Sequence, residues 1–184
     1  MKLYMILLGC KPSGRFTEQH DIFFGIGETM TELIPQIKAF WPEAKGIHID
    51  SWREVSCVDH YRIEVVAKEE AGENQPGLFF FNLGGYKRDD LEEYHYKVLA
   101  VADTLAQASK KSKRNAFYKH FGFKGAESHI DDEYGVGVDD VYKVEDILPM
   151  GMKEKYSLKI EEAVDGAVED ELHIGYLKLT KLSK

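Results

Sequence analysis

The sequence predicts an α+β fold made mostly of antiparallel strands, with one β-β-α-β-β unit present twice and a strand pair at the C-terminal end. Three observations predict it. Short apolar runs bounded by glycines and polar loops are typical of strands. Two S/T-x-x-E/Q sequences indicate helix starts. The chain also resembles itself at a shift of 75 to 81 positions, and such self-similarity indicates an internal repeat.

The repeat shows as identities whose shift grows slowly along the chain. A shift of 75 aligns the first strands and the helix start, and a shift of 81 aligns the segments after the helix. The identical pairs include Leu3/Leu78, Gly9/Gly84, Glu18/Glu93, His20/His95, Thr29/Thr104, His48/His129, Asp50/Asp131, Asp59/Asp140 and Glu64/Glu145. We therefore expect an internal duplication with one helix per repeat.

The repeat sets the expected domain organisation. The first repeat spans 1–67, a linker of Glu, Gly, Asn and Pro spans 68–77, and the second repeat spans 78–148. A C-terminal hairpin extension takes up 149–184. We expect the two repeats to form one compact pair about a pseudo-twofold axis, with a groove between them.

Each repeat begins with two predicted strands. Leu3–Leu8 and Leu78–Leu83 are largely apolar, which is typical of strands covered on both faces. His20–Gly27 and His95–Ala102 are rich in β-branched, aromatic and other apolar residues and are predicted as the second strands.

A helix follows in each repeat. Thr29-Met30-Thr31-Glu32 and Thr104-Leu105-Ala106-Gln107 both match the capping box, in which the first and last side chains bond to free N–H groups of the first turn. The helices are expected to end near Trp41 and Tyr118. Pro35 lacks an N–H, so it predicts either a kink or a later helix start in the first repeat.

The remaining predicted strands follow the helices, and Tyr156–Ala163 among them alternates apolar and charged residues. They are Ile47–Trp52 and His60–Val66 in the first repeat, Ser128–Tyr134 and Val141–Ile147 in the second, and Tyr156–Ala163 and Leu172–Leu182 at the C-terminal end. Gly175 predicts a β-bulge in the last of these.

Composition narrows the classes of function. A net charge of −8 argues against a general nucleic-acid binder and against docking on an anionic membrane, because both need positive charge. No segment approaches the roughly 20 apolar residues of a membrane-spanning helix, and the N-terminus lacks a signal-peptide pattern. Two cysteines without a CxxC motif suit a reducing compartment, so we expect a cytoplasmic protein.

Three segments resemble a known family. The segments LLGCKPSGRFTEQHDIFFGIGE, IKAFWPEAKGIHIDSWREV and LFFFNLGGYK look like the bacterial domain-of-unknown-function family 1543. The resemblance covers most of residues 1–148. It implies a bacterial source and a domain that can occur twice in one chain. It implies no activity, cofactor or catalytic residue.

The polar identities are the candidates for chemistry. Residues two apart on a strand share a face, so Glu18 with His20, and His48 with Asp50, each present a carboxylate and an imidazole together. Such groups can bind a divalent transition metal or act as a general acid and base. The metal-ligand candidates are His20, His48, Asp50, His95, His129 and Asp131. The simpler interpretation is that these residues form structural hydrogen-bonded pairs, because buried polar groups are nearly always paired and a ligand motif such as HExxH is absent.

Three functional hypotheses follow. The leading one is a non-enzymatic protein that binds an unknown partner protein or small ligand in the groove between the repeats, since no recognisable catalytic set is present. The second is a metal-dependent or His/Asp acid–base enzyme. The third is a nucleic-acid-associated protein that uses the basic segment 110–124, in which a run of basic residues has aromatic residues nearby. Of the remaining pairs, Asp59/Asp140 are expected at turns and Glu64/Glu145 on solvated faces.

Overall fold

A computed structural model describes residues 1–72, 75–86, 89, 91–112, 136–164 and 167–182. The chain divides into unit 1, formed by Met1–Glu73 and Ile147–Lys184, and unit 2, formed by Asn74–Asp146. The predicted α+β class with mostly antiparallel strands is confirmed.

The elements follow in chain order. The strands are β1 (Lys2–Cys10), β2 (Gln19–Gly27), β3 (His48–Glu54), β4 (Cys57–Val58), β5 (Tyr61–Ala67), β6 (Gly77–Tyr86), β7 (Glu93–Ala102), β8 (Val136–Lys143), β9 (Tyr156–Glu162) and β10 (His173–Lys178). The helices are α1 (Ile34–Phe40), α2 (Leu105–Ser112), α3 (Val144–Ile147), α4 (Met150–Lys153) and α5 (Leu179–Leu182), with 3-10 turns at Met30–Leu33 and Lys68–Glu70.

Unit 1 contains two antiparallel sheets. The larger has the strand order β10-β3-β1-β2 and the smaller has the order β4-β5-β9. Alternate residues of β1 face a core that also includes α1, because successive strand residues point to opposite faces. The buried members of this core are Tyr4, Ile6, Leu8, Phe23, Leu33, Ile37, Ile49 and Leu179.

Unit 2 contains one antiparallel sheet with the strand order β7-β6-β8. Its core lies on the face that includes α2 and is formed by Phe79, Phe81, Leu83, Val98, Ala100, Ala102 and Ala108. In the main sheet of each unit the first strand in sequence therefore lies between the next two, with β1 between β2 and β3 and β6 between β7 and β8.

The third strand of each main sheet carries a bulge at the same place. In unit 1, Leu8 pairs with Ile49 and Leu7 with Ser51, so Asp50 is the extra residue. In unit 2, Leu83 pairs with Val138 and Asn82 with Asp140, which leaves Asp139 as the extra residue. A bulge turns one side chain away from regular alternation.

The helix starts agree only partly with the predicted capping boxes. In unit 1, Pro35 lies in the first turn of α1, so the expected later start is confirmed. The Thr29 side chain makes no capping bond, and Glu32 Oε2 instead accepts a bond from Glu28 N at 3.0 Å. In unit 2, Thr104 Oγ1 accepts a bond from Gln107 N at 3.3 Å, as a capping residue does.

Two predicted strand arrangements were wrong. The C-terminal strands do not pair as a hairpin, because β9 pairs with β5 and β10 pairs with β3. Alternation of apolar and polar residues indicates a half-buried strand but carries no information about its partner. The expected strand Val141–Ile147 is the end of β8 followed by α3, while the expected strand at 128–134 lies outside the described residues. The bulge at Gly175 is confirmed, since the register of β10 shifts between Ile174 and Leu177.

Candidate metal centre

Four polar side chains of unit 1 converge where β1, β2 and β3 meet. His20 on β2 and His48 on β3 both pair with Gly9 on β1, so the two imidazoles flank a residue that has no side chain. Glu18 immediately precedes β2, and Asp50 is the bulged residue of β3. We call these four side chains, Glu18, His20, His48 and Asp50, the inner-repeat cluster.

The Nε2 atom of each imidazole in the inner-repeat cluster lies near both carboxylates. His48 Nε2 is 3.1 Å from Glu18 Oε1 and 3.3 Å from Asp50 Oδ1. His20 Nε2 is 3.2 Å from Asp50 Oδ2 and 3.8 Å from Glu18 Oε2. The four residues thus form a closed ring in which imidazoles and carboxylates alternate.

Two atoms of this ring are buried without a hydrogen bond. Within the described part of the chain, neither His48 Nε2 nor Asp50 Oδ2 has a hydrogen-bond partner, although the oxygen and nitrogen atoms named above are close. The His48 side chain is only 6% exposed. Its other ring nitrogen, Nδ1, faces the carbonyl oxygen of Gly46 at 3.5 Å, which favours the tautomer with a proton on Nδ1 and a lone pair on Nε2.

Gly9 is required by the close approach of these side chains. A Cβ atom at this position would collide with His48 Nε2 and would lie 2.5 Å from Asp50 Oδ2. A glycine at position 9 therefore has a physical cause, since the backbone of β1 forms the floor of the cluster.

Unit 2 carries a related set of residues, Glu93, His95 and Asp139, which we call the outer-repeat cluster. One ligand atom from each of the three residues lies within 4.8 Å of the other two. His95 Nε2 is 3.2 Å from Asp139 Oδ2 and 4.0 Å from Glu93 Oε2. Gly84 pairs with His95, and a Cβ on Gly84 would collide with the Asp139 carboxylate.

The predicted metal-ligand candidates fall into three groups: the inner-repeat cluster, the outer-repeat cluster and the residues outside the described ranges. His20, His48 and Asp50 meet in unit 1, and His95 lies in unit 2, whereas His129 and Asp131 lie outside the described residues. The register of β8 places Gly137 opposite Gly84, as His48 lies opposite Gly9. The counterpart of Asp50 in the sheet is therefore Asp139, which the alignment at a shift of 81 missed and a shift of 89 would have found.

The other polar identities do not join either cluster. Asp59 has a φ of 52° in the turn between β4 and β5, as expected of an Asp at a turn. Asp140 lies within β8, where Asn82 Nδ2 donates to its Oδ2 at 3.3 Å, so the expected turn there was wrong. Glu64 is exposed, and its Oε1 lies 3.6 Å from a guanidinium nitrogen of Arg62. Glu145 lies in α3, and its Oε2 is 2.9 Å from Lys143 Nζ.

The cysteines and a small cavity lie outside the inner-repeat cluster. Cys10 and Cys57 are both buried and free. Burial raises the pKa of the Cys57 thiol, and the negative charge of Asp170 raises it further, so this thiol is poorly suited to nucleophilic chemistry. A cavity of about 270 Å³ lies beside the start of β1, the end of β3 and β5, and its lining includes none of the four cluster residues.

Comparison with known proteins supports the predicted resemblance in part. The model of a family described as Domain of Unknown Function (DUF1543) matches residues 15–65. The matched segment contains all four residues of the inner-repeat cluster, and it does not extend into unit 2. No curated protein matches the sequence.

A solved structure has a similar fold. The crystal structure of a protein Il1583 from Idiomarina loihiensis is similar with a TM-score of 0.63 and 24% identity, and the likeness covers 97% of this chain and 97% of that chain. At this identity the likeness shows a shared fold and nothing about activity. Among the described residues, no helix is long and apolar enough to cross a membrane.

Proposed function

We propose that this protein binds divalent transition-metal ions through the inner-repeat cluster of unit 1. The observation that carries the proposal is the buried Nε2 atom of His48, which has no hydrogen bond within the described residues and lies between two carboxylate oxygens. Leaving a buried polar atom unsatisfied costs about 1–3 kcal/mol, so such an atom calls for a partner.

Three imidazole–carboxylate pairs of the inner-repeat cluster have the spacing of two ligands on one metal ion, and among the described residues the set whose ligand atoms all lie within 4.8 Å of one another is Glu93, His95 and Asp139. Two ligand atoms that each lie about 2.1 Å from one ion are roughly 3.0 Å apart at a right angle and roughly 3.4 Å apart at a tetrahedral angle. Three of the imidazole–carboxylate separations, at 3.1, 3.2 and 3.3 Å, lie in that interval. Imidazole and carboxylate together favour ions such as zinc, manganese, iron and cobalt.

Charge supports the same proposal. Two carboxylates beside one imidazole repel one another, and a cation between them would relieve the repulsion. A divalent ion beside His48 would balance the charge of the carboxylates and accept the lone pair of His48 Nε2. The contact of His48 Nδ1 with the Gly46 carbonyl resembles the outer hydrogen bond that orients most metal-bound histidines.

The alternative of purely structural pairing is less well supported at His48. A structural pair would direct an N–H at a carboxylate oxygen, yet neither Glu18 nor Asp50 satisfies hydrogen-bond geometry at that nitrogen. The leading sequence-based hypothesis, a non-enzymatic protein that binds a partner or ligand in a groove between the repeats, stays a prediction. So does the nucleic-acid hypothesis, because most of the basic segment 110–124 lies outside the described residues.

We also propose that the two units derive from an internal duplication. Side chains at a shift of 75 make the same bonds to the backbone. Gln36 Nε2 donates to Ile26 O at 2.8 Å, and Lys111 Nζ donates to Val101 O at 2.5 Å. These bonds, together with the bulge shared by β3 and β8, are difficult to obtain from unrelated segments.

The test of metal binding is a comparison of His48 variants. The protein is stripped with a chelator and titrated with Zn²⁺ and Mn²⁺, and binding is followed by calorimetry and by melting temperature. We expect His48→Ala to weaken binding in unit 1 at least roughly 100-fold, because even changes to groups that merely orient a ligand cost about 10–100-fold. His48→Gln, which fills more of the buried space, should lose affinity to a similar extent while retaining the fold.

The matched control is His60→Asn. His60 lies in the β4–β5 turn with a φ of 67°, a conformation that Asn tolerates well. This variant should bind metal as the unaltered protein does. Absence of any metal-induced shift in melting temperature in the unaltered protein, or equal affinity in the His48 and His60 variants, would contradict the proposal.

A further inference from the structure

We infer that unit 2 holds a divalent cation of its own at the outer-repeat cluster, with Glu93, His95 and Asp139 as its three protein ligands. This site goes beyond the one proposed in unit 1 and does not depend on it, because all three ligands belong to unit 2. The ion is open to solvent and keeps coordination positions for water.

The ligand atoms of this cluster are close enough to share one ion. Within the described part of the chain, these three residues are the set of His, Cys, Asp and Glu side chains that brings three ligand atoms within 4.8 Å of one another. Two atoms that each lie about 2.1 Å from an ion are at most roughly 4.2 Å apart. His95 Nε2 is 3.2 Å from Asp139 Oδ2 and 4.0 Å from Glu93 Oε2, so both separations lie below that limit. A small rotation of the partly exposed Glu93 side chain would bring all three atoms onto one ion.

The backbone of unit 2 makes room for these ligands. A glycine inside a strand weakens the strand and often marks a close approach of other groups. Gly84 on β6 is such a residue, because a Cβ there would collide with the Asp139 carboxylate. Asp139 itself is the extra residue of the bulge in β8, and bulges often redirect a side chain next to a functional site. Two independent departures from regular strand structure therefore bring Asp139 to His95.

The ligand set indicates the class of ion. Glu93 and Asp139 bring two carboxylates to a single imidazole, and a divalent cation between them would relieve the repulsion of their charges. Calcium and magnesium take oxygen ligands, so the imidazole of His95 disfavours them. Carboxylate and imidazole together favour a divalent first-row transition metal such as manganese, iron or zinc.

Exposure of the ligands makes this site an open one. The side chains of Glu93, His95 and Asp139 are 25%, 37% and 19% exposed, respectively. Three protein ligands leave coordination positions free, as in metal sites that keep a position for water or substrate. The ion should therefore carry water and exchange it with the solvent.

The experiment compares two neighbouring aspartates of β8. Asp139→Asn removes the charge of a ligand. Asp140→Asn makes the same change one residue later, where the side chain accepts a bond from Asn82 Nδ2 that an amide oxygen can also accept. Both substitutions are made in a His48→Gln background, which disables the site proposed in unit 1.

The stripped proteins are titrated with Mn²⁺. Electron paramagnetic resonance counts the free ion, and enhancement of water proton relaxation reports water on the bound ion. Circular dichroism checks the fold of every variant. Glu93→Gln in the same background provides a second ligand substitution, in case Asp139→Asn disturbs the bulge.

We expect one equivalent of Mn²⁺ with enhanced water relaxation in the His48→Gln background. Asp139→Asn and Glu93→Gln should each weaken binding at least about 10-fold, because even groups that only orient a ligand contribute that much. Asp140→Asn should bind as the background does.

Two results would overturn the inference. One is the absence of Mn²⁺ binding in the His48→Gln background, as expected if a protonated His95 simply pairs with its carboxylates. The other is equal affinity in the Asp139→Asn and Asp140→Asn variants. Bound Mn²⁺ that leaves water relaxation unchanged would refute the open coordination positions. Each of these results leaves the proposal for unit 1 intact, because that proposal is judged by the difference between the unaltered protein and its His48 variants.

Discussion

The inner-repeat and outer-repeat clusters use the same backbone frame with one difference in side chains. In both, a Glu-x-His sequence leads into the second strand, a glycine lies opposite the histidine, and a bulged Asp on the third strand points into the cluster. Unit 1 has His48 opposite the glycine, and unit 2 has Gly137 there. The shared frame thus positions one imidazole and two carboxylates. The residue of the third strand that pairs with the glycine decides whether a second, buried imidazole is added.

The largest effect is expected from filling the glycine floor of unit 1. Gly9→Ala places a Cβ against His48 and Asp50, and the buried His48 ring has little room to move away. Overpacking of this kind costs about 1–3 kcal/mol, and the free energy of unfolding should fall by that amount in denaturant titration. Metal affinity at unit 1 should fall with it.

Gly84→Ala is the matched substitution in unit 2. Its Cβ meets the Asp139 carboxylate, the far end of a side chain that is 19% exposed and can turn aside. The loss of stability should therefore be smaller than for Gly9→Ala. Equal losses in the two variants would show that the clusters are more alike than the register suggests.

A moderate effect is expected from exchanging the residue that differs. Gly137→His supplies unit 2 with an imidazole at the position that His48 occupies in unit 1. Affinity at the outer-repeat cluster should rise about tenfold, which is about 1.4 kcal/mol, because one ligand is added to a frame that already exists. The measurement is calorimetric titration with Zn²⁺ in a His48→Gln background, which leaves unit 2 as the tighter cluster. Unchanged affinity would mean that more than this one residue separates the two clusters.

The smallest effect concerns the helix starts. Thr104 caps α2 through its hydroxyl, whereas Thr29 makes no such bond. Thr104→Ala should lower the free energy of unfolding by about 0.5–1 kcal/mol, and Thr29→Ala should change it by less. Denaturant titration of both variants checks this, and a larger loss for Thr29→Ala would reverse the assignment of the caps.

Local elements of the fold were predictable from the sequence, and strand partners were not. The apolar run at Leu3–Leu8 and the late helix start at Pro35 follow from residue properties that act over a few positions. The partners of β9 and β10 depend on which sheet edges are left open, and alternation of residues contains no such information. Consequently the predicted C-terminal hairpin became two strands in two sheets.

The grouping of the candidate site residues was predictable where it depends only on their spacing along one strand. Residues two apart on a strand share a face, which correctly grouped Glu18 with His20 and His48 with Asp50. The missed residue, Asp139, depends on register, and register in unit 2 follows the bulge in β8 rather than the most obvious sequence identities. The available signal was the glycine at matching positions of β1 and β6. It marks where side chains of the flanking strands lie against the backbone of the strand between them.

The division of the chain has a consequence for synthesis on the ribosome. Unit 2 is continuous in sequence, whereas unit 1 is completed by residues 147–184, which supply β9 to one sheet and β10 to the other. A chain that emerges from its N-terminus first therefore exposes the edges of β3 and β5 while unit 2 is being made. Unit 2 can fold first, and until translation ends the inner-repeat cluster of unit 1 is carried on a nascent sheet that still has an open edge.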